Sequence, residues 1–191
     1  MTTLAVVIGS ATPPGRLHRA LGEATARAAD RRALTVRTLD LGAQRIAPAD
    51  GRPPGELGDD TAAALEAIAT ADAVVLATPV YRGSLTGVLK NLLDHVPVEA
   101  LRGTPTGIAA MGGSLHHHLG AERHLRDILA FFGAVVAPTA VYVTSADFTD
   151  GAPGPAAAAQ LDALLDTLVV LAERLGDAPP LGPPPLFARP G

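Results

Sequence analysis

Five short apolar runs, each followed sooner or later by a stretch of helical period, constrain this chain more than any single motif does. The runs are Leu4–Ile8, Leu34–Leu39, Ala73–Thr78, Thr106–Met111 and Val135–Val143, and they read as strands. Between and after them, the spacing predicts helices over Leu17–Arg31, Thr61–Ala71, Thr86–Asp94, Ala121–Phe132 and Ala156–Leu175. Such alternation calls for an α/β three-layer sandwich, a parallel sheet with helices on both faces, and five strands fit the doubly wound order 2-1-3-4-5. Right-handed crossovers then follow from strand twist. Gln44 to Asp60 is rich in Pro, Gly and Asp without a period and reads as a long surface loop. Met1 to Gly176 is expected to be one domain. The tail from Asp177 to Gly191 holds six prolines and is expected to be disordered or to lie on a neighbouring subunit.

Ligands of open α/β sheets sit beyond the carboxyl ends of the strands, so the exits from the runs are the places to look for function. The third exit is the most informative. Val74 to Ala77 is apolar throughout, as a strand buried on both faces must be, and it passes through Thr78, Pro79, Val80, Tyr81, Arg82, Gly83 and Ser84 directly into an amphipathic helix. Thr78, Pro79, Tyr81, Gly87, Leu89, Lys90, Leu93 and Asp94 fit the pattern T-P-x-Y-x-x-x-x-x-G-x-L-K-x-x-L-D, and in this the chain resembles the NADPH-dependent FMN reductases of flavodoxin-like fold. The resemblance covers roughly residues 4 to 143. It implies that the third exit borders a flavin ring. Together with Gly112-Gly113-Ser114 it points to the reductase components of two-component monooxygenases of the alkanesulfonate type.

The first run ends in Gly9-Ser10-Ala11-Thr12-Pro13-Pro14-Gly15-Arg16. Backbone amides at a helix N-terminus carry unsatisfied donors and partial positive charge, so such a loop can hold a phosphate, with Ser10 and Arg16 as its side-chain ligands. The dinucleotide fingerprint G-x-G-x-x-G is absent, with Pro13 and Pro14 standing where its tight turn would be, and no G-x-x-x-x-G-K-[ST] loop occurs. Asp40 has the place of a ribose-binding acid, but without those glycines it reads as a loop cap. The resembled family carries hydroxyls after the arginine, where this chain has Leu17, His18 and Arg19; His18 and Arg19 are therefore candidate cationic donors to the phosphate. A solvated helix start is the other reading of the same residues.

The fourth exit, Met111-Gly112-Gly113-Ser114, is rich in glycine, which lets backbone approach a flat ring and donate to its polar edge. His116, His117 and His118, with Glu122 and His124, invite a metal reading, but only His118 and Glu122 fall one helical turn apart, so no metal site is expected. A place at the cofactor edge or in a subunit contact suits them better. In the alkanesulfonate-type relatives the equivalent helix packs a tetramer, and an aromatic or His near Arg123 or His124 goes with a π-helical irregularity; this chain has no Tyr there.

Tyr81 is one of two tyrosines and tryptophan is absent, so at most one face of a flavin would meet a protein ring. That suits an NAD(P)H-dependent FMN reductase whose flavin receives hydride and leaves reduced, with FMN and NADPH or NADH as the nucleotides. Arg82 at the mouth is a candidate contact for the nicotinamide ribose or a 2′-phosphate. A bound-flavin quinone or azo reductase, an electron-carrying flavodoxin and a degenerate interaction protein are the alternatives. A homodimer or homotetramer would cover the second flavin face.

Zero cysteines exclude disulfides and thiolate chemistry and agree with a cytoplasmic setting. Fifteen basic against nineteen acidic residues, with no basic stripe, argue against nucleic acid. No apolar run approaches the ~20 residues of a membrane span, so neither membrane insertion nor secretion is expected.

Overall fold

The structure is a computed structural model that describes residues 1–12, 14–176 and 178–184. Its parallel sheet contains β1 (Thr2–Ile8), β2 (Leu34–Asp40), β3 (Ala73–Pro79), β4 (Pro105–Gly112), β5 (Val135–Val136) and β6 (Val141–Thr144) in the order β2-β1-β3-β4-β5, with β6 also on β4. The helices are α1 (Arg16–Arg31), α2 (Thr61–Ala69), α3 (Gly87–His95), α4 (His118–Phe132) and α5 (Pro155–Leu175). The chain thus has the expected flavodoxin-like order and layering.

Strand alternation sorts the core into two halves. Leu4, Val6 and Ile8 of β1, with Ala73, Val75 and Ala77 of β3, pack under α1 and α5. Their intervening neighbours Ala5, Val7, Val74 and Leu76 pack under α2, α3 and α4. Both faces are covered, which is why Leu4–Ile8 and Ala73–Ala77 contain no polar residue. Asp162 and Asp166 of α5 face Arg27, Arg31 and Arg32 of α1, with Arg27 Nε 3.1 Å from Asp162 Oδ2. Partly exposed pairs of this kind fix the pairing of the two helices more than they stabilise it.

The structure corrects the expectation of one continuous fifth strand. The fifth strand is broken: β5 and β6 both pair with β4, but four residues, 137–140, oppose only Gly107 and Ile108. Pro138 has no N–H to give the ladder, and Arg126 Nη2 ties down the bulge by donating to the carbonyls of Ala137 and Pro138 at 3.0 and 2.9 Å. A small hairpin, β7 (Phe148–Thr149) with β8 (Ala152–Pro153), then precedes α5. The α5 helix is itself, by length and composition, long and apolar enough to cross a membrane, with a mean hydropathy of 1.4; the acids that punctuate it hid this from a search for unbroken runs. Here it is a core helix, with Leu161, Leu164, Leu165, Leu168 and Val169 buried.

Residues 178–184 carry neither helix nor strand, and Pro180 packs over Gly103 at the amino edge of the sheet. The rest of the tail, Asp177 and residues 185–191, for which disorder or a subunit contact was expected, lies outside the described residues. The 44–60 loop is pinned rather than loose: Asp59 accepts from Ala47 N at 2.7 Å, Asp60 from Arg45 N at 2.8 Å, and Asn91 from Ala49 N at 3.0 Å.

Candidate functional site

Three strand exits meet at the carboxyl edge of the sheet, and a small hydroxyl network locks the first and third together from below. Thr86, the N-cap of α3, is buried; its Oγ1 donates to the Gly9 carbonyl at 2.6 Å and accepts from Leu89 N at 3.3 Å. Its own N–H donates to Thr78 Oγ1 at 3.1 Å, and that hydroxyl donates to the Pro79 carbonyl at 2.9 Å. Thr78 is fully buried, so it organises the loop from beneath and does not line the surface. Gly9 is needed for this crossing, because a Cβ there would lie 2.7 Å from Leu89 Cβ and 2.9 Å from the Ala77 carbonyl.

Above the network lies a cavity of about 130 Å³ walled by the first loop, the start of α1, Asp40 and the third exit. Of the expected residues it gathers Ser10, Arg16, His18, Pro79 and Tyr81. It adds Thr12, whose hydroxyl is 2.9 Å from Ser10 Oγ, and Met111. The Ser-x-Thr spacing was the available signal for Thr12, because the hydroxyls were sought after Arg16 rather than before it. Gly15 caps α1 without any side-chain hydrogen bond, so the first amides of that helix keep their donors for an anion. Gly42 brings the turn after β2 against the loop; a Cβ there would stand 2.6 Å from the Thr12 carbonyl. Asp40 caps this turn by accepting from Gly42 N at 2.9 Å, and its other oxygen is 3.3 Å from His18 Nδ1. Arg19 is not at the cavity: its Nη1 donates to the Asp150 carbonyl at 3.3 Å. Only His18 of the two expected cationic donors is therefore in place.

The third exit folds into a tight reverse turn. Tyr81 N donates to Ser84 O at 3.0 Å and Ser84 N to Tyr81 O at 3.1 Å, with Arg82 and Gly83 at φ +54° and +75° between them. Two consecutive positive φ values make a type I′ turn, in which Asn-Gly is the favoured pair. Arg82 is strained there. Arg82→Asn is expected to raise stability by about 0.5–1 kcal/mol, read as a higher Tm. The turn leaves Tyr81 half-exposed and rests on α4: Ser84 Oγ is 2.7 Å from His124 Nδ1, and only glycine fits at position 120 because a Cβ there would overlap the Gly83 carbonyl. Val80 N is already committed to the Met111 carbonyl at 2.8 Å.

At the fourth exit the two glycines differ. A Cβ at Gly112 would overlap the hydroxyl of Tyr142, which donates to the Ser114 carbonyl at 2.7 Å; that glycine makes room for a tyrosine. Burial pushes the Tyr142 phenol above its ordinary range, so it remains a neutral donor. Gly113 faces open space. The triple histidine lies where the chain enters α4, which starts at His118 rather than Ala121 after a short 3₁₀ turn. His117 Nδ1 is 3.4 Å from Ser114 Oγ, His118 Nδ1 is 3.0 Å from the Leu115 carbonyl, and Glu122 pairs with Arg126 at 2.8 Å. Among the described residues no group of three His, Asp or Glu is placed to hold a metal ion, and α4 is α-helical throughout with no π turn.

Comparison with known proteins agrees with this geometry. The profile of the family described as NADPH-dependent FMN reductase matches residues 2–148. The chain is 38% identical over 115 residues to the NAD(P)H-dependent FAD/FMN reductase of Geobacillus thermodenitrificans, covering 60% of the chain but only 62% of that relative. It is 36% identical over 169 residues to the NADH-dependent FMN reductase SfnF of Pseudomonas putida, covering 85% of the chain and 89% of that protein. Among solved structures, an apo NADH:FMN oxidoreductase superposes with a TM-score of 0.77 at 24% identity, covering 94% of this chain and 92% of the other, which speaks for the fold.

Proposed function

Because the chain belongs to the NADPH-dependent FMN reductase family, we propose that it reduces FMN with NADPH or NADH and hands the reduced flavin to a flavin-dependent monooxygenase. The observation that carries this reading is the convergence of a phosphate cradle and a Pro79–Ser84 turn on one cavity at the carboxyl edge of the sheet. FMN held there would supply the redox chemistry, as the acceptor of hydride from the nicotinamide. The protein's part is binding, orientation and exclusion of water.

The uncapped amides of α1, the hydroxyls of Ser10 and Thr12, the Arg16 guanidinium and the His18 imidazole suit a phosphate dianion. Pro79 and Tyr81 form an apolar wall against which one ring face can lie, and the open backbone at Gly113, outside the cavity lining, would serve the polar edge. With no phenylalanine, tryptophan or second tyrosine among the described residues of the lining, the other face stays open to nicotinamide. Arg82 and Gly83, at the tip of the turn, are placed to meet the nicotinamide nucleotide. The strain at Arg82 then has a use, and Arg82→Asn is expected to raise KM for the nucleotide while leaving that for FMN near the native value. No side-chain acid or base is required, and Thr78, Val80 and Gly112 serve by holding the exits in register.

Exposed Leu115 and Leu119 around the start of α4, and Phe131 on the groove between α3 and α4, favour a homodimer or homotetramer formed across these helices. A cysteine-free chain that draws on a nicotinamide pool suits the cytoplasm.

The test is anaerobic oxidation of NADPH and NADH by the purified protein with FMN, FAD, riboflavin or benzoquinone, beside its absorbance spectrum as isolated. The expected result is colourless protein that turns over with added FMN. Yellow protein that prefers quinone would replace this reading with a bound-flavin quinone reductase, and no turnover with any pair would end it.

A further inference from the structure

We propose that His18 and Asp40 form a proton-linked phosphate clamp, in which FMN binds only to the imidazolium form of His18 and so takes up a proton. This rests on the FMN reading above and concerns residues in which the chain departs from the hydroxyl-bearing pattern it resembles. His18 lines the cavity. Its Nδ1 is buried 3.3 Å from Asp40 Oδ2, yet the pair is not aligned as a hydrogen bond. Asp40 is itself fixed, since its other oxygen caps the turn at Gly42. That leaves Nε2, which has no partner among the described residues, as the ring atom that meets a ligand in the cavity.

The ring therefore stands between two anions, a carboxylate behind it and a phosphate in front. A neutral imidazole has one N–H and one lone pair. If Nδ1–H faces Asp40, a lone pair on Nε2 faces the phosphate; if Nε2–H faces the phosphate, a lone pair on Nδ1 faces the carboxylate. Each neutral tautomer sets a lone pair against an anion, and only the imidazolium donates to both. The other charged group on the cavity wall is Arg16, constant across the pH range, and the only other titratable one is the Tyr81 phenol; Arg19 is held at Asp150. His18 is thus the group on this wall whose protonation a bound phosphate would set.

The sign follows. Phosphate binding stabilises the charged ring, so FMN affinity falls as pH rises through the range in which free His18 loses its proton. The second ionisation of the phosphate, near pH 6, works the other way by making the ligand more anionic, so a variant without the imidazole is expected to lose the fall or reverse it. A reduced flavin keeps the same phosphate, so a rise in pH at the site would speed its release.

The experiment is calorimetric titration with FMN and with riboflavin from pH 6 to 8.5, in two buffers of different ionisation enthalpy, using the native protein, His18→Gln and Asp40→Asn. In the native protein the FMN dissociation constant is expected to rise about tenfold between pH 7 and 8.5, with about two-thirds of a proton taken up on average over that range, while riboflavin shows neither effect. His18→Gln should weaken FMN and lose the uptake. Asp40→Asn is the sharper case: an Asn amide can donate to Nδ1, so the neutral Nε2–H tautomer then satisfies both neighbours, and FMN should bind without taking up a proton. Uptake persisting in both variants, or native FMN affinity that does not fall with pH, would overturn the clamp and leave the reductase reading standing. Failure of FMN to bind at any pH would overturn both.

Discussion

Thr86→Val should lower stability by about 2–4 kcal/mol, although it exchanges one methyl-sized group for another at a buried position. The hydroxyl is both the N-cap of α3, accepting from Leu89 N, and the donor that satisfies the Gly9 carbonyl at 2.6 Å. Loss of an N-cap costs about 0.5–2 kcal/mol and a buried acceptor left unpaired about 1–3 kcal/mol, and neither group can reach water in the folded state. At about 2–4 °C per kcal/mol for a chain of this size, Tm should fall by roughly 5–15 °C. The same bond holds the first strand exit to the third, so FMN should bind more weakly as well. Thr86→Ser keeps the oxygen and should stay close to the native protein in both measurements. Thermal unfolding and fluorescence titration check this, and a Thr86→Val protein within about 0.5 kcal/mol of native would show that the hydroxyl is not the link between the exits.

The fold was legible in the sequence wherever burial alone decides. Ala73 to Ala77 alternate between two cores, and a stretch packed on both faces can read only as an apolar run. Legibility failed where a local signal was answered from far along the chain. The helical period pointed to a start at Ala121, yet α4 runs through Gly120, where only a glycine clears the Gly83 carbonyl. Gly112 looked like room for a ligand, and it is room for Tyr142, thirty residues later in the chain. Pro138 was the one local sign that the fifth strand would break, and Arg126 makes the break tolerable. At the site, Ser10, Arg16 and Tyr81 could be named because loop and strand end mark them. The approach of His18 to Asp40 depends on how β2 lies beside β1, which no short window contains.

Gly9→Ala, the addition of one methyl group, should be nearly as damaging as the loss of the Thr86 hydroxyl. The new Cβ would sit 2.7 Å from Leu89 Cβ and 2.9 Å from the Ala77 carbonyl, and neither can rotate away, since one is fixed to the backbone of α3 and the other belongs to β3. Relief requires the end of β1 to move off α3. That stretches the bond from Gly9 N to the Ala77 carbonyl, 2.7 Å in the native protein, and the bond from Thr86 to the Gly9 carbonyl. Overpacking of this kind costs about 1–3 kcal/mol, and here it falls on the residue before Ser10, so the cradle shifts with it. The expected result is a lower Tm together with a loss of FMN affinity larger than that of riboflavin, because the displaced loop carries the phosphate ligands. Gly113→Ala is the matched control: its Cβ meets nothing within 4 Å and its backbone is not left-handed, so Tm should stay within about 1 °C. If Gly113 is where the backbone approaches the flavin edge, that variant should instead weaken FMN and riboflavin alike. The two alanines then separate the two halves of the site, one through the phosphate and one through the ring, and equal effects of both on FMN and riboflavin would contradict the division of labour assigned to the two loops.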